Sequence, residues 1–383
     1  MKIYLDIIQP TVPEYRLPLF SALSSRDDIN LLVHASPTMM NSPKSIDGEY
    51  DWLDLSCEII QIIPNRILWQ KGLRIRNEKS CQRVLVISGN PRFLSNYVLW
   101  VKAKSIGIPV IWWGHGWSAS SNWLTSKIRK LLMKFADVVM LYTEKEAENY
   151  IKSGFSSRRT IGINNSIDQS NTIKAIAYWG NDRLKKFKIE NNINNKNVLL
   201  FCGRLTNKTR LDILIKALKY LAKDNILLVI IGNGPKKDLY KKLAIENNVD
   251  KKVIWIDETY DEMKLAPWFL SAKCSVYPGS IGLSLLHAFG YSLPVITHDK
   301  RSKQMPEIAA LIHGYNGLEY KYNEPQDLIK TIKSLIHSDK ILNKMRENAQ
   351  FTVKSKYSLE NMVNNFYTAV QLALLQAQKM DKQ

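Results

Sequence analysis

The chain has 383 residues, 45% hydrophobic and 23% charged, with a formal net charge of +19. That length exceeds one ordinary core and sets two domains as the expectation, and the balance of apolar and charged residues excludes a disordered chain. No apolar run is long enough to cross a bilayer, and the excess positive charge points to nucleic acid, anionic lipid or phosphorylated substrates, set against a merely lysine-rich, well-solvated surface.

The opening "MKIYLDIIQP" reads as a buried strand and not as a signal peptide, because Asp6 interrupts the apolar stretch and no small-residue cleavage site follows. Further strands are predicted over Ile29 to His34, Val84 to Ser88, Val110 to Trp113 and Val138 to Tyr142. A second series covers Val198 to Cys202, Leu227 to Ile231, Val253 to Ile256, Cys274 to Tyr277 and Val295 to Thr297. Helical periodicity fills the gaps: Arg16 to Leu23, Asn96 to Ser105, Lys127 to Phe135, Lys145 to Ser153, Leu211 to Ala222, Lys236 to Asn247, Pro325 to Ile336 and Leu359 to Ala377. Such alternation implies parallel sheets covered on both faces, that is, an α/β chain of two doubly wound Rossmann-like domains. The series breaks between Asp168 and Lys196, where "NDRLKKFKIENNINNKN" lacks a strong apolar stripe and marks a domain boundary. Ligands of such sheets sit beyond the carboxyl ends of the strands, and two facing sheets would aim those ends at a shared cleft. The four cysteines, Cys57, Cys81, Cys202 and Cys274, have neither metal nor redox spacing and fit a reducing cytoplasm.

Three strand-end loops in the second half carry the chemistry. "LLFCGRLTNKTRLDILIKAL" places Gly203 and Arg204 at a strand end, with Lys208 and Arg210 in the following loop, a basic arrangement suited to a diphosphate. "LLVIIGNGPKKDLYKKLA" ends a strand in Gly232, Asn233, Gly234 and Pro235, with the proline expected in a first helical turn. "VYPGSIGLSLLHAFGYSLPVITHD" runs from strand through Gly279, Ser280, Ile281, Gly282 and Leu283 into a helix, and can turn successive amides toward phosphate.

With these loops in this order, and the later "MPEIAALIHGYNGLEY", the chain resembles the retaining glycosyltransferases of family 4, which have the GT-B fold, over most of residues 198–335. The resemblance implies a domain for the acceptor over residues 1–175, a nucleotide-sugar domain over 176–358, and a helix over 359–383 that returns to the first domain. It implies that Arg204 and Lys208 clamp the donor diphosphate, that Gly203, Gly232, Gly234 and Pro235 flank the nucleotide, and that Ser280, Ile281, Gly282 and Leu283 approach its phosphates.

Two departures stand out. The basic loop has Thr209 where the family has lysine, so the role passes to Lys208. The two glutamates usual in the third loop, with seven residues between them, are here Gly279 and His287, as in a subset of bacterial polysaccharide transferases. His287 is then expected to bond the ribose hydroxyls, with a packed core histidine as the alternative. Glu307 matches another recurrent position near the nucleotide, or else complements a helix N-terminus behind Pro306.

In the first half, "IPVIWWGHGWSASSN" brackets His115 between Gly114 and Gly116 at a strand end; the resemblance puts such a histidine near the donor sugar or its phosphates, with a loop-capping histidine as the alternative. Glu14 and Arg16 of "VPEYRLPLF" either face the acceptor or form a surface ion pair, and Asn90 and Arg92 lie on another strand-end loop. Basic residues accompany aromatic ones at Arg66, Trp69, Lys71, Arg74 and Arg76, and at Trp123, Lys127, Arg129, Lys130 and Lys134. That mixture suits an anionic membrane surface, with no nucleic-acid-reading motif beside it; a solvated basic face with ordinary core aromatics is the alternative.

The reading is therefore a hexosyltransferase, peripheral at the inner face of the cytoplasmic membrane. It takes a nucleotide diphosphate sugar as donor and an undecaprenyl diphosphate-linked glycan as acceptor, in O-antigen, lipopolysaccharide or capsule assembly. No permanently bound cofactor, no metal requirement and no nucleic-acid partner are expected. The competing readings are a sugar-nucleotide epimerase or hydrolase on the same fold, and a non-catalytic membrane- or nucleic-acid-binding protein.

Overall fold

The computed structural model describes residues 2–40, 45–64, 66–76, 81–116 and 123–380. Trp117 of the Gly-His-Gly-Trp stretch and the side chain of Trp123 lie outside the described residues. The chain divides into two compact units, Met1–Ile167 with Leu359–Gln383, and Asp168–Ser358.

In the first unit the strands are β1 (Ile3–Ile8), β2 (Ile29–His34), β3 (Leu53–Asp54), β4 (Glu58–Ile63), β5 (Ile67–Lys71), β6 (Gln82–Ser88), β7 (Val110–Gly114), β8 (Val138–Leu141) and β9 (Thr160–Gly162), and the helices are α1 (Leu17–Ser24), α2 (Leu94–Ser105), α3 (Trp123–Phe135) and α4 (Glu144–Lys152). Seven strands form one parallel sheet in the order β3-β2-β1-β6-β7-β8-β9, and β4 and β5 form a separate antiparallel hairpin. The hairpin is not foreseen from the sequence, because "EIIQII" is mostly exposed and carries no sharp alternation.

Strand residues alternate between the two faces. Ile111 and Trp113 enter one core, with Phe20 of α1, and Val110 and Trp112 enter the other, with Leu99 of α2 and Met133 of α3. Asp6, the polar interruption in β1, is buried and accepts from Arg76 Nε at 2.7 Å. Arg76 also donates to Asn30 and to the carbonyl of Leu5, so it is an internal clamp on β1 and not the membrane-facing cation expected. Arg129, from the same expected set, is buried.

The second unit holds β10 (Asn197–Cys202), β11 (Ile226–Ile231), β12 (Val253–Ile256), β13 (Cys274–Val276), β14 (Val295–His298) and β15 (Gly317–Tyr320), with helices α5 (Ser170–Tyr178), α6 (Asn181–Glu190), α7 (Leu211–Ala217), α8 (Lys237–Glu246), α9 (Glu262–Ser271), α10 (Ser284–Gly290), α11 (Pro325–Ile336) and α12 (Asp339–Lys356). Its parallel sheet runs β12-β11-β10-β13-β14-β15. The unit begins at Asp168, ahead of the 175/176 boundary read from sequence. The asparagine-rich segment read there as a break folds as α6, which has no fully buried residue; Phe187 anchors it edge-on between Trp179 and Trp268, at centroid distances of 5.5 and 4.8 Å.

Helix α9 tolerates Pro267 in its interior for a visible reason. Proline cannot donate to the carbonyl four residues back, and that carbonyl, of Met263, accepts instead from Trp179 Nε1 at 2.7 Å. The predicted helix over Leu211 to Ala222 leaves α geometry at Leu218 and continues as a 3₁₀ segment to Asp224, with non-helical backbone angles at Leu221. The last helix, α13 (Leu359–Met380), packs on the first unit's sheet, where Phe366 meets Trp113 perpendicularly at 5.2 Å.

Candidate functional site

The three loops beyond β10, β11 and β13 lock into one another. The parallel ladder extends past the strand ends: the Gly203 amide donates to Ile231, and the Gly232 amide donates to Ile256, both at 3.0 Å. Leu205 then donates to Asn233 at 2.8 Å, and Lys236 donates back to Leu205 at 3.1 Å. A Cβ on Gly232, at φ +143°, would lie 2.2 Å from the Gly203 carbonyl oxygen. This glycine is needed for loop-to-loop approach. Pro235 precedes α8 in a turn and does not enter the first helical turn as expected.

Gly279 has a similar explanation. A Cβ there would lie 2.0 Å from the Lys208 carbonyl oxygen and 2.6 Å from the Thr209 carbonyl carbon. The Ser280 amide donates to that same Lys208 oxygen at 3.0 Å, closing the first loop onto the third. No side chain fits at Gly279, so the carboxylate usual in the resembled family has no place in this backbone.

The four loop amides expected to approach phosphate divide into two pairs. Those of Ser280 and Ile281 are already used, the latter by Gln304 Oε1 at 2.8 Å, so they are withdrawn from the phosphate role. Those of Gly282 and Leu283 make no hydrogen bond among the described residues. Gln304 is the brace of this loop, because its Nε2 also donates to Thr297 Oγ1 and to the His298 carbonyl at 2.9 and 3.1 Å. Nothing in "KQMPE" signals that role. Glu307 is buried, with Oε2 3.6 Å from the Cβ position of Gly282, so the structure brings it beside the third loop.

The Arg204 and Lys208 side chains are exposed and make no ion pair or hydrogen bond among the described residues. Arg210 differs. It sits at φ +49°, and its guanidinium donates to Asp212 at 3.4 Å and to Asn323 at 3.1 Å. Two uncommitted cations thus stand on a loop whose backbone is bonded to the glycine loop.

His287 is not free to serve a ribose. Its Nε2 lies 2.9 and 3.2 Å from the two carboxylate oxygens of Glu262, on α9, and Cys202 also hydrogen-bonds the ring. Tyr291 donates to Glu262 as well, and Phe269 lies 4.7 Å from the imidazole centroid. Burial alone would push the His287 pKa down, but Cys202 and Glu262 raise it to about 9. Burial opposes the charge on Glu262, yet hydrogen bonds from His287 and Tyr291 hold its pKa below the ordinary value. The expected ribose contact is therefore corrected: a protonated imidazole and a carboxylate form an interior pair. The sequence reading missed Glu262, which lies 25 residues from its partner.

His115 belongs to the first unit. Its ring packs 4.4 Å from Tyr142, and burial, with the charges of Arg129 and Arg16, pushes its pKa down to about 4. It is neutral at pH 7. The Gly116 amide beside it donates to Glu146 Oε1 at 2.7 Å. Arg16 is buried and donates to Asn165 Oδ1 at 2.9 Å, so a surface ion pair with Glu14 does not form. The Arg92 amide donates to Asn90 Oδ1, which closes that loop on itself.

Residues 182–351 match the family described as Glycosyl transferases group 1. That match lies within the second unit, Asp168–Ser358. The chain is 27% identical over 245 residues to an uncharacterized glycosyltransferase of Methanocaldococcus jannaschii, MJ1069, covering 62% of this chain and 59% of that one. It is 29% identical over 209 residues to a second from the same organism, MJ1178, covering 52% and 54%. The chain thus spans little more than half the length of these relatives. Among solved structures, a glycosyltransferase from Rickettsia africae superposes with a TM-score of 0.70 at 12% identity, over 97% of this chain and 99% of that one. Anabaena Alr3699/HepE in complex with UDP gives 0.68 at 14% identity, over 97% and 100%. The architecture is the GT-B fold, two Rossmann-like parallel sheets in one chain.

Proposed function

We propose that the protein is a glycosyltransferase that moves a sugar from a nucleotide diphosphate sugar to a hydroxyl of a lipid-linked glycan, with retention of configuration. The observation that carries this reading is the pair of uncommitted cations, Arg204 and Lys208, on a loop bonded to the third loop, where the Gly282 and Leu283 amides have no partner among the described residues. Anabaena HepE in complex with UDP and with UDP-glucose, on the same fold, supports a nucleotide-sugar donor.

The hard step is cleavage of the bond between the anomeric carbon and phosphate. Negative charge grows on the departing diphosphate while the sugar becomes oxocarbenium-like. Arg204, Lys208 and the two amides act where that charge develops, which is electrostatic catalysis by preorganised groups. The acceptor hydroxyl attacks from the face of departure and passes its proton to the leaving phosphate. No carboxylate nucleophile is required, which accords with the absence of room at Gly279. The two cations supply the charge that neutralises the diphosphate, so the reading assigns no metal ion to the site. Glu307 borders the nucleotide, and neutral His115 contributes a hydrogen bond and not a charge. The setting is surface-polysaccharide assembly, such as O-antigen or capsule, on the cytoplasmic face of a membrane; no helix among the described residues is long and apolar enough to span one.

A thermal-shift screen against UDP-, GDP- and deoxythymidine-linked sugars tests the reading. A ligand at a hundred times its Kd adds about 2.7 kcal/mol to the folded state, a rise of several degrees. A chain that responds to no nucleotide sugar is not this transferase.

A further inference from the structure

Helices α2 and α3 cover the same face of the first unit's sheet, with Leu99, Trp100 and Met133 packed against Trp112 and Val139. Both helices feed the same apolar cluster on that face. Their outer faces remain apolar. On α2, Val98 and Val101 are 57% and 71% exposed; on α3, Ile128, Leu131 and Phe135 are 47%, 57% and 65% exposed. The α3 residues recur at the spacing of a single helical stripe.

Lysines run beside that stripe. Lys127, Lys130 and Lys134 repeat at the same spacing, and the last two lie over the Tyr150 and Phe155 rings at 5.6 and 5.8 Å. On α2, Lys102 is exposed. Neither "LSNYVLWVKAKS" nor "WLTSKIRKLLMKF" contains a single aspartate or glutamate. A merely solvated face would mix both signs of charge. Aliphatic side chains flanked only by cations match the boundary between the headgroups and acyl chains of an anionic bilayer.

We propose that the outer faces of α2 and α3 dock the first unit onto an anionic lipid bilayer. This rests on the transferase reading only for its purpose, which is to bring the protein to a lipid-linked acceptor. The stripe enters the headgroup boundary while the lysines meet lipid phosphates. Membrane attachment is thus assigned to a surface, replacing the wider basic set that included the half-buried Arg76, held by Asp6, and the buried Arg129.

The test is co-sedimentation of the full chain with vesicles of phosphatidylcholine containing phosphatidylglycerol, and with phosphatidylcholine alone. The wild type pellets with the anionic vesicles, less so at high salt. Lys127→Glu/Lys130→Glu/Lys134→Glu binds on the order of a hundredfold more weakly. Leu131→Asp/Phe135→Asp, at exposed positions, removes the binding that survives high salt. Both variants keep a cooperative unfolding transition and the wild-type nucleotide-sugar response, with the lysine variant's melting point lowered by the loss of its two ring contacts, which separates failed docking from failed folding and from failure of the transferase reading. Wild-type protein that stays in the supernatant, or variants that pellet like the wild type, would overturn the proposal. So would a dimer in solution that Leu131→Asp/Phe135→Asp dissociates, since the surface would then belong to a second copy.

Discussion

Gly279→Ala is the smallest perturbation that asks why the third loop lacks a carboxylate. The added Cβ falls 2.0 Å from the Lys208 carbonyl oxygen, and ordinary contact begins at 3.4 Å, so the neighbours must separate by more than 1 Å. The atoms in the way are backbone, and the Lys208 oxygen also holds the Ser280 amide. Relief therefore breaks that hydrogen bond and moves the segment carrying the Lys208 ammonium. Overpacking of this kind costs about 1–3 kcal/mol. For a unit of this size each kcal/mol lowers the melting temperature by about 2–4 °C, so thermal unfolding should show a drop of several degrees. Sugar transfer, or UDP release where the acceptor is unknown, should fall about tenfold or more because one cation of the clamp is displaced. Gly279→Glu should be worse, although it restores the residue usual in the resembled family. An alanine variant that melts and turns over like the wild type would refute the reasoning.

Other consequences follow from the histidines. The His287 pKa is raised above its ordinary value, so the stabilisation it contributes is complete below about 6.5 and is lost as pH rises through about 9. Glu262→Gln should flatten that dependence in urea unfolding at pH values on either side of 9; identical slopes for variant and wild type would show that the pair is not coupled. His115 has the opposite sign. Its pKa is depressed to about 4, so its contribution is complete above about 6.5 and is lost as pH falls toward 4. His115→Asn should reduce the acid sensitivity of the first unit, and an unchanged acid midpoint would remove the buried-neutral assignment.

Much of the fold was legible because the parallel strands are short, continuous apolar runs. "VLLFC" and "ILLVII" need burial on both faces and fit little else. Helices α5, α6 and α9 were not legible for local reasons. Helix α6 is lysine- and asparagine-rich and is held by a single aromatic, Phe187, while α9 contains a proline whose cost depends on a distant indole. Arg204 and Lys208 are proposed for the site from type and position, and the described residues leave both side chains uncommitted. Gly279 and His287 could not be resolved that way. The first depends on the backbone of another loop, and the second on Glu262, a carboxylate from another helix that no spacing rule connects to it. The same limit applies to Arg76 and Arg129, which count as surface charge in the sequence; in the fold Arg76 is half-buried on Asp6 and Arg129 is buried.

The central claim is that Arg204 and Lys208 form a diphosphate clamp, and calorimetric titration of UDP and GDP into the wild type and Arg204→Ala tests it most directly. The account predicts one site per chain for one of these nucleotides, weakened about tenfold or more in the variant, with an unchanged melting temperature because the Arg204 side chain has no partner among the described residues. In turnover the same variant should lose about two to three orders of magnitude. A wild-type chain that binds neither nucleotide, or an Arg204→Ala variant that binds as tightly as the wild type, would contradict it.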